Sequence, residues 1–179
     1  MKAKDVIIIL DCGSQYTQLI ARRIRELRVY SEILPWDASV EEIRSKSPKG
    51  IVISGSSRNV PLSEAPTVSS EILEIGIPIL GICYGMQLLC HILGGKIAKT
   101  GSAEYRRIQV EIEDENAKLF KGLPKRFCAW MSRGYSVAQL PPNVRSLAKS
   151  EDGSIAAMAT LDDRIWGLQF HPEVAHTEH

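Results

Sequence analysis

The stretch Ile77-Pro78-Ile79-Leu80-Gly81-Ile82-Cys83-Tyr84-Gly85 admits few folds. Ile77 to Leu80 is a short apolar run of strand type. Met86, Leu89, Cys90 and Leu93 then recur at i, i+3, i+4, i+7, which is one face of a helix, and Gly94-Gly95 ends it. Cys83 therefore falls on a sharp strand-to-helix turn, the G-x-nucleophile-x-G elbow with cysteine in place of serine. The flanking glycines tolerate backbone angles and close approaches that a side chain would block. Such a turn pushes the sulfur out at the carboxyl edge of the sheet. It also aims the helix N-terminus at the sulfur, where the partial positive charge favours thiolate over thiol. A buried structural cysteine at a strand end would fit the same position. The elbow alone leaves both readings open; the decisive residues lie far downstream.

The rest of the chain repeats the strand–helix alternation. Val6-Ile7-Ile8-Ile9-Leu10 is a continuous β-branched run, as in a strand buried on both faces, and Asp11-Cys12-Gly13-Ser14 is the turn after it. Tyr16, Leu19, Ile20, Ile24 and Leu27 mark a helix face. Ser31 to Leu34 is a second strand, Val40 to Lys46 a short helix and Gly50 to Ser54 a third strand. A polar loop from Gly55 to Pro66 precedes a helix marked by Val68, Ile72 and Ile75. This order implies a parallel sheet with helices on both faces. After Gly95, Ile108, Val110 and Ile112 alternate with polar residues. Arg126 to Met131, Val144 to Lys149, Ile155 to Thr160 and Arg164 to Phe170 are further strand candidates, with Leu161-Asp162-Asp163 as a hairpin loop. The second half thus adds antiparallel strands to the parallel core. Ligands in open α/β sheets bind beyond the carboxyl ends of the strands, here at loops 11–15, 54–60, 83–87 and the segment after Phe170.

Length and charge set the outer limits. A chain of 179 residues with no visible linker or repeat is one domain, 1–179, with a sizeable core. A formal net charge of +1 argues against nucleic acid or an acidic membrane as the main partner. No apolar run approaches a membrane span, and Met1 to Asp5 carries no secretory h-region. The four cysteines, Cys12, Cys83, Cys90 and Cys128, have neither C-x-x-C spacing nor disulfide-framework density, which predicts a reducing, cytoplasmic compartment.

His171-Pro172-Glu173 follows the last apolar strand. In an extended segment, residues two apart share a side, and Pro172 restrains His171 towards that conformation. A carboxylate beside an imidazole fixes its tautomer and supports its protonated form. Alone, the tripeptide reads more readily as a solvated turn. Beyond a strand, in a chain with a cysteine elbow, it becomes a base with its orienting carboxylate.

Gly81-Ile82-Cys83-Tyr84-Gly85-Met86-Gln87 together with Gln169-Phe170-His171-Pro172-Glu173 resembles a class I glutamine amidotransferase. The opening Asp11-Cys12-Gly13-Ser14-Gln15-Tyr16-Thr17-Gln18-Leu19-Ile20-Ala21-Arg22-Arg23 is similar to the GMP synthetase branch of that family. So are Tyr30 to Asp37, Trp130-Met131-Ser132 and Glu173 to Thr177. The resemblance implies a flavodoxin-like α/β fold with Cys83 as nucleophile, His171 as acid and base, and Glu173 as orienter. It implies an oxyanion hole from the main-chain N–H of Tyr84 and of Gly55 or Ser56, and substrate contacts from Gln87, Ser132, Gly134 and Tyr135. L-glutamine is the implied substrate. The implied partner is an ATP-pyrophosphatase (synthetase) domain or subunit that aminates xanthosine monophosphate. This chain contains no phosphate-binding glycine loop, so ATP and magnesium are expected only in that partner, with no cofactor and no metal here. Family members usually continue beyond the triad with another helix.

Several segments depart from the family pattern. The usual Ser-Gly-Gly-Pro is Ser54-Gly55-Ser56-Ser57, and Met-Ser-His-Gly-Asp is Met131-Ser132-Arg133-Gly134-Tyr135. Arg-Glu-Tyr-Gly is Ala103-Glu104-Tyr105-Arg106, a usual Phe is Cys12 and a usual Gly is Arg28. These changes concentrate on functional loops. A module of the same fold with weak or no glutamine turnover, or a cysteine hydrolase with another substrate, therefore stays open beside the glutaminase.

Overall fold

The computed structural model describes residues 5–58 and 65–179. Met1 to Lys4, part of the loop read over Gly55 to Pro66, and with it positions 59 and 60 of the 54–60 site loop, lie outside the described residues. Strands β1 (Val6–Asp11), β2 (Tyr30–Pro35), β3 (Gly50–Ile53), β4 (Ile79–Ile82) and β9 (Ile165–Leu168) form the parallel half of the sheet. Helices α1 (Thr17–Glu26), α2 (Val40–Ser45) and α3 (Tyr84–Ile92) are interleaved with them. Strands β5 (Lys96–Ile112), β6 (Arg126–Gln139), β7 (Val144–Ser150) and β8 (Ile155–Thr160) are antiparallel to their neighbours. All nine make one sheet in the order β2-β1-β3-β4-β9-β8-β7-β5-β6. This is the mixed α/β sheet with flanking helices that the alternation predicts.

The β-branched runs form central strands because both of their faces are covered. Ile8, Leu10, Ile51 and Ile53 pack with Ile43 of α2 and Met86 and Leu89 of α3. Ile9, Val52 and Ile82 face Ile20 and Ala21 of α1 on the opposite side. The antiparallel half buries a separate cluster that includes Ile108, Val110, Phe127, Met131, Leu147 and Phe170.

Three elements differ from the sequence pattern. The expected helix around Val68 to Ile75 is a 3₁₀ run over Ser70–Ile75, ended by Gly76 in the left-handed region. Ser69 caps the run by accepting from the Glu71 N–H, and the Ile72 N–H bonds the Ser69 carbonyl in the tighter i→i+3 pattern. Strands β5 and β6 are far longer than the apolar alternation at Ile108–Ile112 and Arg126–Met131 indicates. Their added halves are polar and held by the cross-strand ladder, so no apolar period marks them. Strand β9 ends at Leu168 instead of Phe170, and Gln169 and Phe170 leave the sheet to carry His171 across to an isolated bridge with Trp130.

Candidate active site

The elbow exists for steric reasons. A Cβ on Gly81 would lie 2.4 Å from the carbonyl carbon of Gly85, and one on Gly85 would lie 2.3 Å from the carbonyl oxygen of Ile53. No side chain fits at either position, because backbone atoms cannot move aside. Between them Cys83 adopts φ 55°, ψ −105°, a conformation that is unusual for a non-glycine residue. Its N–H is taken by the carbonyl of Leu168 at 2.6 Å, which ties the elbow to β9. Helix α3 starts at Tyr84, so the Tyr84 N–H has no intrahelical acceptor.

Five chain segments besides α3 converge on Cys83 around a cavity of about 330 Å³. Gly13 to Tyr16 come from the β1–α1 turn, Ser56 to Arg58 from the loop after β3, and Ser132 to Gly134 from β6. His171 closes one side, Tyr84 and Gln87 line the floor from α3, and Tyr105 of β5 stands at the rim, 69% exposed. The Cys83 thiol donates to the main-chain carbonyl of Ser132 at 3.2 Å.

His171 Nδ1 lies 2.7 Å from Glu173 Oε1, both side chains being buried. The pairing matches the i, i+2 expectation, although Pro172 and Glu173 occupy a turn and not an extended segment. Burial disfavours the imidazolium, but hydrogen bonds and charge from Cys83 and Glu173 outweigh it and push the His171 pKa up to about 10. Tyr16 packs edge-on against the ring, centroids 5.0 Å apart. Arg23 of α1 donates to the Glu173 carbonyl at 3.0 Å. Glu173 Oε2 is buried with no hydrogen-bond partner among the described residues.

The other expected site residues are distributed as follows. Gly55 abuts His171: a Cβ there would stand 3.3 Å from Ser14 Oγ and 3.4 Å from His171 Cε1. Ser56 lines the cavity without a positive φ, so a side chain where the family usually has glycine costs no left-handed strain. Ser132 and Gly134 line the cavity, whereas Tyr135 does not. Tyr135 offers its carbonyl to Gln87 Nε2 at 2.9 Å, and the same Gln87 nitrogen lies 3.2 Å from Gln169 Oε1. Gln87 thus binds α3 to β6 behind the cavity that it also lines.

Arg133, which stands where the family pattern usually has His, has its guanidinium held by an acidic and hydroxyl cluster. It is tied to Glu104 Oε2 at 2.7 Å, Asp152 Oδ2 at 2.6 Å and Ser154 Oγ at 2.6 Å, with its side chain 1% exposed. Burial opposes the Asp152 charge, but the Ser150 and Ser154 hydroxyls, the Ser154 N–H and Arg133 hold that carboxyl well below the usual range.

Tyr16, Tyr105 and Gln169 are site neighbours to which the sequence pattern gave no role, whereas Ser14 lies in the expected 11–15 loop. Tyr16 reads as one more apolar residue of a helix face, yet it precedes α1 and turns to His171. The signal available was its place in a turn directly after a buried strand. Gln169 is fully buried with Nε2 3.9 Å from the Cys83 sulfur. Among the described residues, no group of three or more His, Cys, Asp or Glu side chains is arranged to hold a metal ion. No helix among them is long and apolar enough to cross a membrane.

A mixed α/β sheet with a cysteine on a glycine-flanked elbow, facing a buried His–Glu pair, defines a cysteine-centred hydrolytic domain. The chain belongs to the family Glutamine amidotransferase class-I, whose profile matches residues 8–179. It is 49% identical over 175 residues to the GMP synthase [glutamine-hydrolyzing] of Lactobacillus gasseri, covering 98% of this chain and 34% of that protein. It is 48% identical over 171 residues to the GMP synthase [glutamine-hydrolyzing] of Aquifex aeolicus, covering 96% and 33%. The chain thus spans about a third of the length of the curated relatives it matches. A solved candidate GMP synthase subunit from Thermoplasma acidophilum superposes with TM-score 0.82 at 26% identity, covering 99% of this chain and 89% of that one. A glutamine amidotransferase from Thermotoga maritima shares the fold with TM-score 0.74 at 23% identity, covering 97% and 78%.

Proposed function

We propose that this chain is the glutamine-hydrolysing domain of a GMP synthase, a cytoplasmic enzyme of purine nucleotide synthesis. The observation that carries the proposal is the His171–Glu173 pair at 2.7 Å, set beside Cys83 at the wall of the cavity. With Glu173 holding Nδ1, the other imidazole nitrogen is free to serve the sulfur and the leaving group. The Cys83 thiolate attacks the side-chain amide carbon of glutamine. The resulting oxyanion takes hydrogen bonds from the N–H of Tyr84, which has no acceptor within α3, and from the main chain at Gly55 or Ser56. Such a donor is typically worth about 3–4 kcal/mol in the transition state. His171 protonates the nitrogen as the C–N bond breaks, ammonia departs, and a glutamyl thioester remains. The same histidine then takes a proton from water, which attacks the thioester; glutamate leaves and the thiolate is restored. Ser132, Gly134 and Gln87 form the side of the site suited to glutamine, with the Tyr135 carbonyl holding Gln87 from behind.

Ammonia would pass to an ATP-pyrophosphatase domain or subunit that activates xanthosine monophosphate, with ATP and magnesium bound there. The resemblance of this chain to one third of each GMP synthase supports that division of labour. The test is ammonia release from L-glutamine, with and without such a synthetase domain, for the chain and for Cys83→Ala. Turnover abolished in Cys83→Ala is expected. Full turnover in Cys83→Ala would overturn the nucleophile assignment, and no ammonia under any condition would make the chain a binding module of the same fold.

A further inference from the structure

His171 and Trp130 face each other as an antiparallel pair but exchange only one of the two hydrogen bonds that such a pair normally shares. The His171 N–H donates to the Trp130 carbonyl at 3.0 Å. The return bond is interrupted by a side chain. The Trp130 N–H donates to Thr177 Oγ1 at 2.9 Å, and that hydroxyl donates to the His171 carbonyl at 2.6 Å. Thr177 is thus inserted into the second rung, its hydroxyl linking the Trp130 N–H to the His171 carbonyl.

The same strand also contacts the nucleophile, since the Ser132 carbonyl accepts the Cys83 thiol at 3.2 Å. Cys83 and His171 are therefore both positioned against β6, two residues apart along it. Around Thr177 the chain stays docked by other means. The Glu178 N–H donates to the Cys128 carbonyl at 2.9 Å, Glu178 Oε2 accepts from the Cys128 N–H at 2.8 Å, and His176 packs on Trp130.

We propose that Thr177 is a positioning residue of the triad, whose hydroxyl sets the distance of His171 from β6 and so its alignment with Cys83. Without the hydroxyl, the Trp130 N–H and the His171 carbonyl are either left unpaired or drawn into a direct rung that moves the imidazole. A misplacement near 1 Å is enough to cost on the order of 10²-fold in rate.

The experiment compares Thr177→Val, Thr177→Ser and Glu178→Ala in the full chain. Its kinetic arm rests on the glutamine-hydrolysing function proposed above; its second arm does not. Thr177→Val should lower kcat for glutamine at least ~10-fold with KM changed less than about twofold, and Thr177→Ser should restore it. The downfield proton resonance of His171 Nδ1, shared with Glu173, should broaden or shift in Thr177→Val and return in Thr177→Ser. Glu178→Ala contacts β6 without touching His171 and should leave kcat within about twofold. Wild-type kcat and resonance in Thr177→Val would overturn the proposal. So would equal loss in Thr177→Ser, or an equal loss in Glu178→Ala. If the wild-type chain releases no ammonia, the function fails and the resonance alone decides the role of Thr177. If Thr177→Val does not fold, the split between Thr177→Ser and Glu178→Ala decides it: loss in Glu178→Ala but not in Thr177→Ser overturns it.

Discussion

Nδ1 of His171 and Oε1 of Glu173 lie 2.7 Å apart in a site where each side chain is at most 4% exposed. A histidine held at about 10 in the fold, against an ordinary 6.5, binds its proton more tightly folded than unfolded. Its contribution to stability is therefore fully present below about pH 6.5 and is lost as pH rises through about 10. Urea midpoints should fall over that window, and less so in Glu173→Gln, which removes part of the cause. Glu173→Gln should also cut glutamine turnover by roughly 10²–10⁴-fold through the wrong tautomer. A variant with the wild-type pH slope would dissociate the raised pKa from Glu173.

The elbow glycines cannot be replaced cheaply. With 2.3 Å between a Gly85 Cβ and the Ile53 carbonyl oxygen, Gly85→Ala should cost at least about 2–3 kcal/mol in chemical denaturation or prevent folding. Cys83 presents the opposite case. Its φ of 55° suits glycine, so Cys83→Gly should be more stable than Cys83→Ala by about 1 kcal/mol although neither turns over substrate. Equal stability of the two would mean that the elbow relaxes without strain.

Arg28 offers a stabilising change. It sits at φ 62° just beyond α1, exposed, where the family usually has glycine. Arg28→Gly should raise stability by roughly 0.5–1 kcal/mol, read as a higher urea midpoint with unchanged slope. A lower midpoint would show that the Arg28 side chain contributes more than its backbone costs.

Arg133 should matter for architecture more than for substrate contact. Its guanidinium joins Glu104 of β5 to the β7–β8 turn beneath the cavity strand. Arg133→Met leaves the mostly buried Glu104 carboxylate with a weaker set of partners. It should destabilise by about 2–3 kcal/mol, discounted because Asp152 is 43% exposed. KM for glutamine should rise, since residues 132–134 lose their anchor. Unchanged stability with a large loss of kcat would instead place the guanidinium in the chemistry.

The four thiols should separate by environment under brief iodoacetamide treatment. Burial, with the Asp11 charge adding and the Ser54 bond opposing, pushes Cys12 up to about 12. Burial pushes Cys90 up to about 11. Cys83 lines an open cavity beside His171 and should be labelled first, with partly exposed Cys128 the informative comparison. Peptide mapping that shows equal labelling of all four would remove the case for an activated sulfur. We expect weak glutamine hydrolysis by the chain alone, given its altered loops, and an ammonia assay in parallel checks this.

The local chemistry of the elbow was legible without coordinates. Gly81, Cys83 and Gly85 lie within one turn, so steric demand alone dictates their spacing, and the β-branched runs reveal buried strands because burial on both faces excludes polar residues. His171 and Glu173 were legible for the same reason, being close enough in sequence to pair wherever the segment goes. What the tertiary structure decided is long-range. Arg133 looks like an intruder in its loop, and only the arrival of Glu104 from β5 and of Asp152 and Ser154 from the β7–β8 turn shows what engages its guanidinium. The added halves of β5 and β6 are mostly polar and carry no clear apolar period, because cross-strand pairing holds them, with the Ile97–Val137 pair reaching the core. The bonds from Thr177 to Trp130 and His171 cross 47 and 6 residues of chain. A hydroxyl in a loop has no periodicity to betray its partner, and its hydrogen bonds exist only once the sheet has brought β6 alongside the end of the chain.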